Sequence, residues 1–335
     1  MDFIGSKAKW NDWIFSKIKK RINIHEYTFI DGCSGSGTTA QFALSQGMNV
    51  IANDLLQFSG TIIKGSVYSD LNELTNHINV INNLPGKKGF FYNNFTKVGN
   101  RLYFTEENGK KIDACREYIS NLENEQLKNN LLYFAVEALS RISNTTGVHG
   151  AFLKKIKKRA IAPFQLKIEK LIKTDKQILT YSEDIVKLVE KLNYIAKSIL
   201  YIDPPYTYRQ YPPNYHLYET FIRNDNPKLK GLTGLRNNWI AESKSDLCNK
   251  HKFLSELRDI LRKTNSSFVY LSYSSDGIAT KKEIYKLLSS CGNVKFYKKV
   301  TKRYKSDSNR TNNQSKLYEW LFECKVYNSR DRVTP

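Results

Sequence analysis

Short apolar runs typical of buried strands alternate with helical spacings toward both ends of the chain. In residues 7–22, apolar side chains recur at helical intervals and lysines fill many positions between them, which predicts a basic amphipathic helix. A strand over 27–30, a small-residue turn over 31–37, a helix that ends near Gly47 and a strand over 49–52 follow. This order predicts a βαβ unit with parallel strands.

The alternation stops at about residue 55 and resumes at about 177. Residues 86–111 carry glycine, asparagine and aromatic side chains and could form a hairpin, whereas 113–143 have the spacing of one or two amphipathic helices. A long, largely helical stretch between two strands predicts an inserted domain over 55–176.

The second half of the chain returns to alternating strands and helices. Predicted strands cover 178–181, 198–202, 268–272, 294–303 and 317–326, and predicted helices begin near 185 and cover 249–263 and 281–290. A long polar and aromatic loop follows residue 206. The simplest architecture is an α/β fold whose doubly wound, Rossmann-like sheet is built from residues 1–54 and 177–330 and is interrupted by the insertion.

Composition and charge narrow the class of partner. The chain has 335 residues, of which 40% are hydrophobic, and its net charge is +21, which indicates a polyanionic partner such as nucleic acid. No apolar run approaches the roughly 20 residues of a membrane span, and the N-terminus has no signal-peptide pattern. The cysteines are scattered and the histidines lack metal-ligand spacing, so we expect a cytoplasmic protein with reduced thiols and no zinc.

The small-residue turn after the first strand predicts a cofactor site. Gly35 and Gly37 would let the backbone approach a ligand, and N–H groups at the start of the next helix would face its negative part. Asp54 ends the second strand, where a carboxylate can accept hydrogen bonds from two ribose hydroxyls. Ala40 stands where a dinucleotide motif often has its third glycine, so the pattern fits either NAD or S-adenosylmethionine.

The tetrapeptide Asp203-Pro204-Pro205-Tyr206 directly follows the apolar run 198–202. The Asp203 carboxylate and the Pro204 carbonyl could accept both hydrogens of an amino group on a planar ring, and Tyr206 could stack on that ring. On adenine N6, two such acceptors favour a pyramidal nitrogen whose lone pair points toward the methyl group of a sulfonium donor. This chemistry favours a base-modifying methyltransferase, acting on a base rotated out of its duplex, over a hydride-transfer enzyme.

These motifs, in this order, resemble those of the Dam-like class of DNA adenine-N6 methyltransferases, many of which belong to type II restriction–modification systems. Residues 3–7 resemble the family's N-terminal cofactor motif, residues 29–38 resemble its cofactor loop, and 181–184 resemble a motif whose acid lies near the cofactor adenine. The resemblance implies that S-adenosylmethionine is held by Phe3, Lys7, Asp31, Ser34, Gly35, Gly37, Asp54, Asp184 and Asp203. It implies that Asp203, Pro204 and Tyr206 carry the catalysis.

Several of these residues also have purely structural interpretations. Lys7 could be a solvated charge on a basic helix, and Asp184 could simply cap the helix that begins after it. Tyr211, Tyr215 and Tyr218 recur at helical spacing and could be either core residues or part of a flipped-base pocket.

DNA contacts are expected chiefly from the insertion, which should supply most of the contacts to bases. The candidates are Asn144, His149, Lys154, Lys155, Lys157, Lys158 and Arg159 in the insertion, and Arg209, Tyr211 and Arg310 outside it. The basic run 154–159 could instead be a solvated helix face, and the polar loop 303–313 could be a flexible hairpin or a clamp on the DNA backbone.

The sequence thus predicts a site-specific adenine-N6 methyltransferase that acts on duplex DNA and protects host DNA in a restriction–modification system. A cognate endonuclease could act on the same site without forming a stable complex. The alternatives are an RNA adenine methyltransferase, a protein-glutamine methyltransferase, which usually has Asn at position 203, and a non-catalytic DNA-binding protein on the same scaffold. The intact set of Lys7, Gly35, Asp54 and Asp203 argues against the last of these.

Overall fold

A computed structural model describes residues 1, 3–195, 197–301 and 317–327 of the chain. The helices are α1 (Asn11–Lys19), α2 (Thr38–Ser45), α3 (Gln57–Gly65), α4 (Leu71–Asn83), α5 (Phe90–Phe95), α6 (Glu106–Ser120), α7 (Glu125–Ile142), α8 (Ile185–Lys191), α9 (Pro212–Arg223), α10 (Trp239–Ser243), α11 (Phe253–Lys263) and α12 (Lys281–Ser289). The strands are β1 (Thr28–Asp31), β2 (Val50–Asn53), β3 (Ile178–Tyr181), β4 (Ser198–Ile202), β5 (Leu229–Lys230), β6 (Leu235–Arg236), β7 (Phe268–Ser274), β8 (Gly292–Thr301) and β9 (Leu317–Val326).

One large sheet has the strand order β3-β2-β1-β4-β7-β9-β8. The first five strands in this order are parallel, and β9 and β8 add an antiparallel hairpin at one edge. All residues of β4 and β7 are buried, which explains their continuous apolar character in the sequence. The predicted α/β sheet is therefore confirmed, and the order of its strands reverses between β1 and β4.

Helices cover both faces of the sheet, as a doubly wound fold requires. Phe29 of β1 and Ile199 of β4 pack in one core with α1 and α2. The residues that follow them, Ile30 and Leu200, point to the opposite face and pack with α8, α11 and α12. The alternation of side chains along each strand thus divides the buried residues between two cores.

The chain between β2 and β3 is helical, and a helix from the second half of the sequence completes its core. Tyr215, Leu217, Tyr218 and Phe221 of α9 pack in the same cluster as the buried faces of α4, α6 and α7. The Glu219 carboxylate on α9 accepts hydrogen bonds from two backbone N–H groups in the first turn of α3, at 3.2 and 3.0 Å. These contacts fix the insertion against the segment that follows β4.

Two expectations about local structure are wrong. Instead of a hairpin, residues 86–111 contain α5 and the start of α6, because the Asp113 carboxylate of α6 accepts hydrogen bonds from Gly89, Phe91 and Tyr92 N–H and so caps α5. The segment after residue 206 is not a simple loop: it forms α9, the small β5–β6 hairpin and α10. The proline that opens α9 is a helix-start signal, since its missing N–H needs no partner there.

No helix in the described part of the chain is long and apolar enough to cross a bilayer. Among the same residues, no group of three or more histidine, cysteine, aspartate and glutamate side chains could hold a metal ion. All five cysteines are free thiols; Cys33 is half-buried and the other four are buried.

Candidate active site

An open pocket lies at the carboxyl edge of the parallel strands, where the strand order reverses. Its volume is about 890 Å³, including the open mouth. Crevices at this position of a doubly wound sheet are the usual ligand sites of such folds. The pocket is lined by the predicted residues Phe3, Lys7, Asp31, Ser34, Gly35, Asp54, Asp184, Asp203, Pro204, Tyr206 and Tyr211. The structure therefore brings the sequence motifs together from segments far apart in the chain.

The glycine loop after β1 is shaped by close contacts within the protein. Gly35 has φ +51°, and a Cβ on it would come within 2.9 Å of the Phe3 ring. Its N–H donates to Asp54 Oδ2 at 2.9 Å, while Asp54 Oδ1 accepts from Leu56 N–H at 3.0 Å. Gly37 does not line the pocket; at φ +74° it precedes the first residue of α2, and a Cβ on it would collide with Ile63.

Carboxylates give the pocket a negative lining. Asp31 is 1% exposed, and no well-aligned hydrogen bond from the described residues reaches its carboxylate oxygens, although the Cys33 and Ala40 backbone N–H groups lie near enough to lower its pKa in part. Burial raises the pKa of Asp31 well above its usual value, and the charges of Asp203 and Asp54 raise it further. Burial also raises the pKa of Asp54. A cationic ligand in this pocket would relieve the repulsion between these carboxylates.

Asp184 has the structural role that the sequence left open. Its Oδ1 accepts a hydrogen bond from Val186 N–H at 2.9 Å and caps α8. The side chain lines the pocket at the same time.

The tetrapeptide at the end of β4 is held by Lys7, which is not a solvated surface charge. Lys7 is 3% exposed, and its Nζ lies 3.0 Å from Asp203 Oδ1 and 2.6 Å from the Tyr206 hydroxyl. Burial raises the pKa of Asp203 to about 7, with Lys7 opposing this effect. Burial by itself would lower the pKa of Lys7, but nearby carboxylates raise it well above its usual value, so Lys7 stays protonated.

Tyr206 is anchored at both its side chain and its backbone. Its ring packs edge-to-face on Tyr273 with centroids 5.6 Å apart, and its carbonyl accepts from Ile278 N–H at 2.9 Å. The tetrapeptide is therefore tied to the segment after β7 as well as to Lys7.

The aromatic residues at the start of α9 and just before it lie partly in the core and partly in the pocket. The rings of Phe3 and Tyr215 stack with centroids 4.1 Å apart, and Ile4 N–H donates to the Tyr215 hydroxyl at 2.7 Å. Tyr215 and Tyr218 are fully buried core residues, whereas Tyr211 is half-buried and faces the pocket. The N-terminal motif is thus packed against α9 by an aromatic stack.

Glu319 of β9 is a site residue that sequence reasoning missed. It is 5% exposed, and its Oε1 lies 3.1 Å from Lys7 Nζ and accepts a hydrogen bond from Ser272 Oγ at 2.7 Å. The sequence signal was a glutamate in a largely apolar strand, a signal that Glu323 of the same strand shares; burial of such a charge is costly unless it is paired.

Two of the residues predicted to contact DNA are buried. Asn144 is fully buried: its amide donates to the carbonyls of Leu102 and Leu153, at 2.9 and 3.0 Å, and accepts from Lys157 N–H at 3.0 Å. His149 is 2% exposed. The Asn144 amide thus holds the loop together, and a DNA contact by either side chain stays a prediction.

The basic candidates differ in exposure. Lys154, Lys155, Lys158, Arg159 and Arg209 are exposed. Lys157 is half-buried, and its ammonium donates to the Thr145 carbonyl. The candidate Arg310 and the loop 303–313 lie outside the described residues.

Comparison with known proteins agrees with the geometry. Residues 3–287 match the model of the D12 class N6 adenine-specific DNA methyltransferase family. The chain is 33% identical to the type II methyltransferase M.FokI of Planomicrobium okeanokoites over 96% of its own length and 52% of that protein. It is 29% identical to M.NlaIII of Neisseria lactamica and 31% identical to M.CviAII of Paramecium bursaria Chlorella virus 1, over 96% of its length and 98% and 97% of theirs.

Coverage of these relatives is uneven. The chain spans about half the length of M.FokI and of the modification methylase StsI of Streptococcus sanguinis, but nearly all of M.NlaIII and M.CviAII. The family match covers both the glycine loop and the tetrapeptide after β4, as the sequence motifs predicted. The chain belongs to the D12 class of N6 adenine-specific DNA methyltransferases.

Proposed function

We propose that the chain transfers a methyl group from S-adenosylmethionine to N6 of an adenine flipped out of duplex DNA at a short specific sequence. We further propose that this modification protects DNA in a type II restriction–modification system. One observation carries the proposal: the glycine loop with Asp54 and the tetrapeptide Asp203–Tyr206 line the same pocket. Methyl donor and target base need adjacent sites, and a shared pocket supports that arrangement.

The pocket residues fit S-adenosylmethionine. The buried Asp31 carboxylate and the surrounding carboxylates suit a ligand that carries a positive charge. Asp54 would accept from the ribose hydroxyls, Asp184 would lie near the cofactor adenine, and Phe3, Ser34 and Gly35 would line the remaining surface. When bound, this cofactor would supply an electrophilic methyl group on a positively charged sulfur.

The residues after β4 would prepare the nucleophile. The ionised Asp203 carboxylate and the Pro204 carbonyl would accept the two N6 hydrogens, and Tyr206 would stack on the adenine ring. Lys7 would hold Asp203 and Tyr206 in fixed positions. With a pKa raised to about 7, Asp203 could also take the proton that N6 releases after methylation.

Duplex DNA is the substrate that the charge supports best. A net charge of +21 favours a polyanion, and Lys154, Lys155, Lys158 and Arg159 are exposed on one short segment. We assign catalysis to residues 1–54 and 177–330 and recognition of the DNA sequence to 55–176. Phosphate contacts would hold the protein on DNA, and a few side chains of the insertion would read the bases.

Methyl transfer from labelled S-adenosylmethionine tests this proposal. Purified protein is incubated in three separate reactions: with unmethylated plasmid DNA, with RNA of matched length, or with a protein mixture that contains no nucleic acid. We expect label in DNA, recovered as N6-methyladenine. Label only in RNA, label only in protein, or specific DNA binding without any transfer would each overturn the proposal in favour of one of the alternatives.

A further inference from the structure

Glu319 reaches the Lys7 ammonium from β9, far from the glycine loop and the tetrapeptide in sequence. Its Oε1 lies 3.1 Å from Lys7 Nζ, on an ammonium that also contacts Asp203 Oδ1 at 3.0 Å and the Tyr206 hydroxyl at 2.6 Å. The Lys7 ammonium therefore donates a hydrogen bond to Tyr206 and forms ion pairs with both Asp203 and Glu319. We call Lys7, Asp203, Tyr206 and Glu319 the Lys7 cluster.

Glu319 is itself held rigidly. Ser272 of β7 is fully buried and donates its hydroxyl hydrogen to Glu319 Oε1 at 2.7 Å. In the antiparallel β7–β9 pair, Glu319 lies opposite Ser274. The carboxylate is therefore fixed by the sheet, and a buried glutamate without a partner would be costly.

The Lys7 cluster has one cation and two carboxylates, so Asp203 does not hold Lys7 alone. Burial raises the pKa of Asp203, Lys7 lowers it, and the charge of Glu319 raises it. Five further titratable side chains among the described residues interact electrostatically with this carboxyl. They are Tyr206 and Tyr211 from the segment after β4, Tyr201 from β4, Asp31 from β1 and Cys33 from the loop after β1. Among the groups that raise the pKa of Asp203, Glu319 is the charged side chain that also contacts Lys7.

We propose that Glu319 is a positioning residue for methyl transfer, an inference that rests on the proposed function. It shares the Lys7 ammonium with Asp203 and thereby keeps the Asp203 carboxylate basic enough to accept a hydrogen bond from adenine N6. Without it, the ammonium would bind Asp203 alone, and the ion-paired carboxylate would be a poorer acceptor for the base.

The titration of Asp203 tests this inference without substrate. Carbon-13 NMR of labelled aspartate carboxyls would follow Asp203 in the ligand-free protein, with its signal assigned by Asp203→Asn. We expect Glu319→Gln to lower the pKa of Asp203 by about one unit, because a nearby negative charge is removed. An unchanged or raised pKa would overturn the inference, whether or not the protein proves to be a methyltransferase.

The control is Glu323→Gln on the same strand. Glu323 is 1% exposed, accepts from Arg21 Nε at 2.7 Å and from the Tyr297 hydroxyl at 2.9 Å, and does not contact Lys7. This variant also removes a buried carboxylate from β9, so it measures the structural cost of such a change. We expect it to leave the titration of Asp203 where it is in the natural protein.

Methyl-transfer kinetics provide the second test. For Glu319→Gln we expect the acid limb of the pH–rate profile to move to a pH about one unit lower. At pH values above this limb, kcat should fall about tenfold, whereas KM for S-adenosylmethionine should be nearly unchanged. Glu319→Asp keeps the charge and should recover part of kcat. A Glu319→Gln profile that coincides with that of Glu323→Gln would overturn the inference; absence of transfer in the natural protein would end the proposed function instead.

Discussion

Burial and a neighbouring cation have opposite effects on the pKa of Asp203. Its burial favours the protonated carboxyl, whereas Lys7 at 3.0 Å favours the carboxylate. Asp31 is buried in the same pocket with no cation beside it, and its pKa is raised further. The two neighbouring carboxyls therefore differ in their contacts: the Lys7 ammonium opposes the effect of burial at Asp203, whereas no described cation contacts Asp31.

This difference predicts the pH dependence of methyl transfer. The proposed reaction needs Asp203 as a carboxylate, and burial raises its pKa to about 7. The rate should therefore fall about tenfold per unit as the pH drops below that pKa and level off above it. Initial rates measured with saturating DNA between about pH 5 and pH 9 check the profile. A rate that stays constant through this range would show that ionisation of Asp203 does not limit the reaction.

At the scale of elements, the regular part of the fold could be read from the sequence. Strands β3 and β4 match their predicted bounds because short apolar runs end at polar residues. The α5 helix could not be read this way, since its cap comes from Asp113 in the next helix. The contact of Lys7 with Glu319 was equally hidden, because only the folded sheet brings the two ends of the chain together.

The loop after α7 is held together by one buried polar residue, Asn144. Three backbone groups, the Leu102 and Leu153 carbonyls and the Lys157 N–H, bind the buried Asn144 amide. The basic segment that begins at Lys154 is therefore fixed to the insertion through a buried side chain. Its exposed lysines are presented by a rigid support.

Replacement of Asn144 tests this structural role. Asn144→Ala should lower the free energy of unfolding by about 1–3 kcal/mol, because it leaves buried backbone groups without partners. The exposed Lys155→Ala should change it by less than about 0.5 kcal/mol. Urea denaturation followed by circular dichroism measures both. Unchanged stability of Asn144→Ala together with weakened DNA binding would instead support Asn144 as a DNA contact.

For the whole molecule, charge and architecture point in the same direction. The chain has 53 basic and 32 acidic residues, and the pocket of its sheet is lined by several carboxylates. The net positive charge suits the proposed DNA substrate, whereas the carboxylates of the pocket suit the proposed cationic methyl donor.

The exposed basic segment predicts the salt dependence of DNA binding. Each lost phosphate contact should reduce the slope of log binding constant against log salt concentration by about one. Lys154→Ala with Lys155→Ala should therefore flatten the slope by about two. Lys282→Ala with Lys286→Ala, two exposed lysines of α12, removes the same charge elsewhere and serves as the control. Equal slopes for the two double variants would mean that the segment does not contact phosphates.

The central claim is that this chain methylates adenine N6 in DNA through Asp203. Its most direct test is single-nucleotide mapping of modified bases in plasmid DNA from cells that express the natural chain or its Asp203→Ala variant. We expect N6-methyladenine at one short recurring sequence with the natural chain and none with Asp203→Ala. Unmodified adenines in both samples, or the same modification with the variant, would contradict the claim.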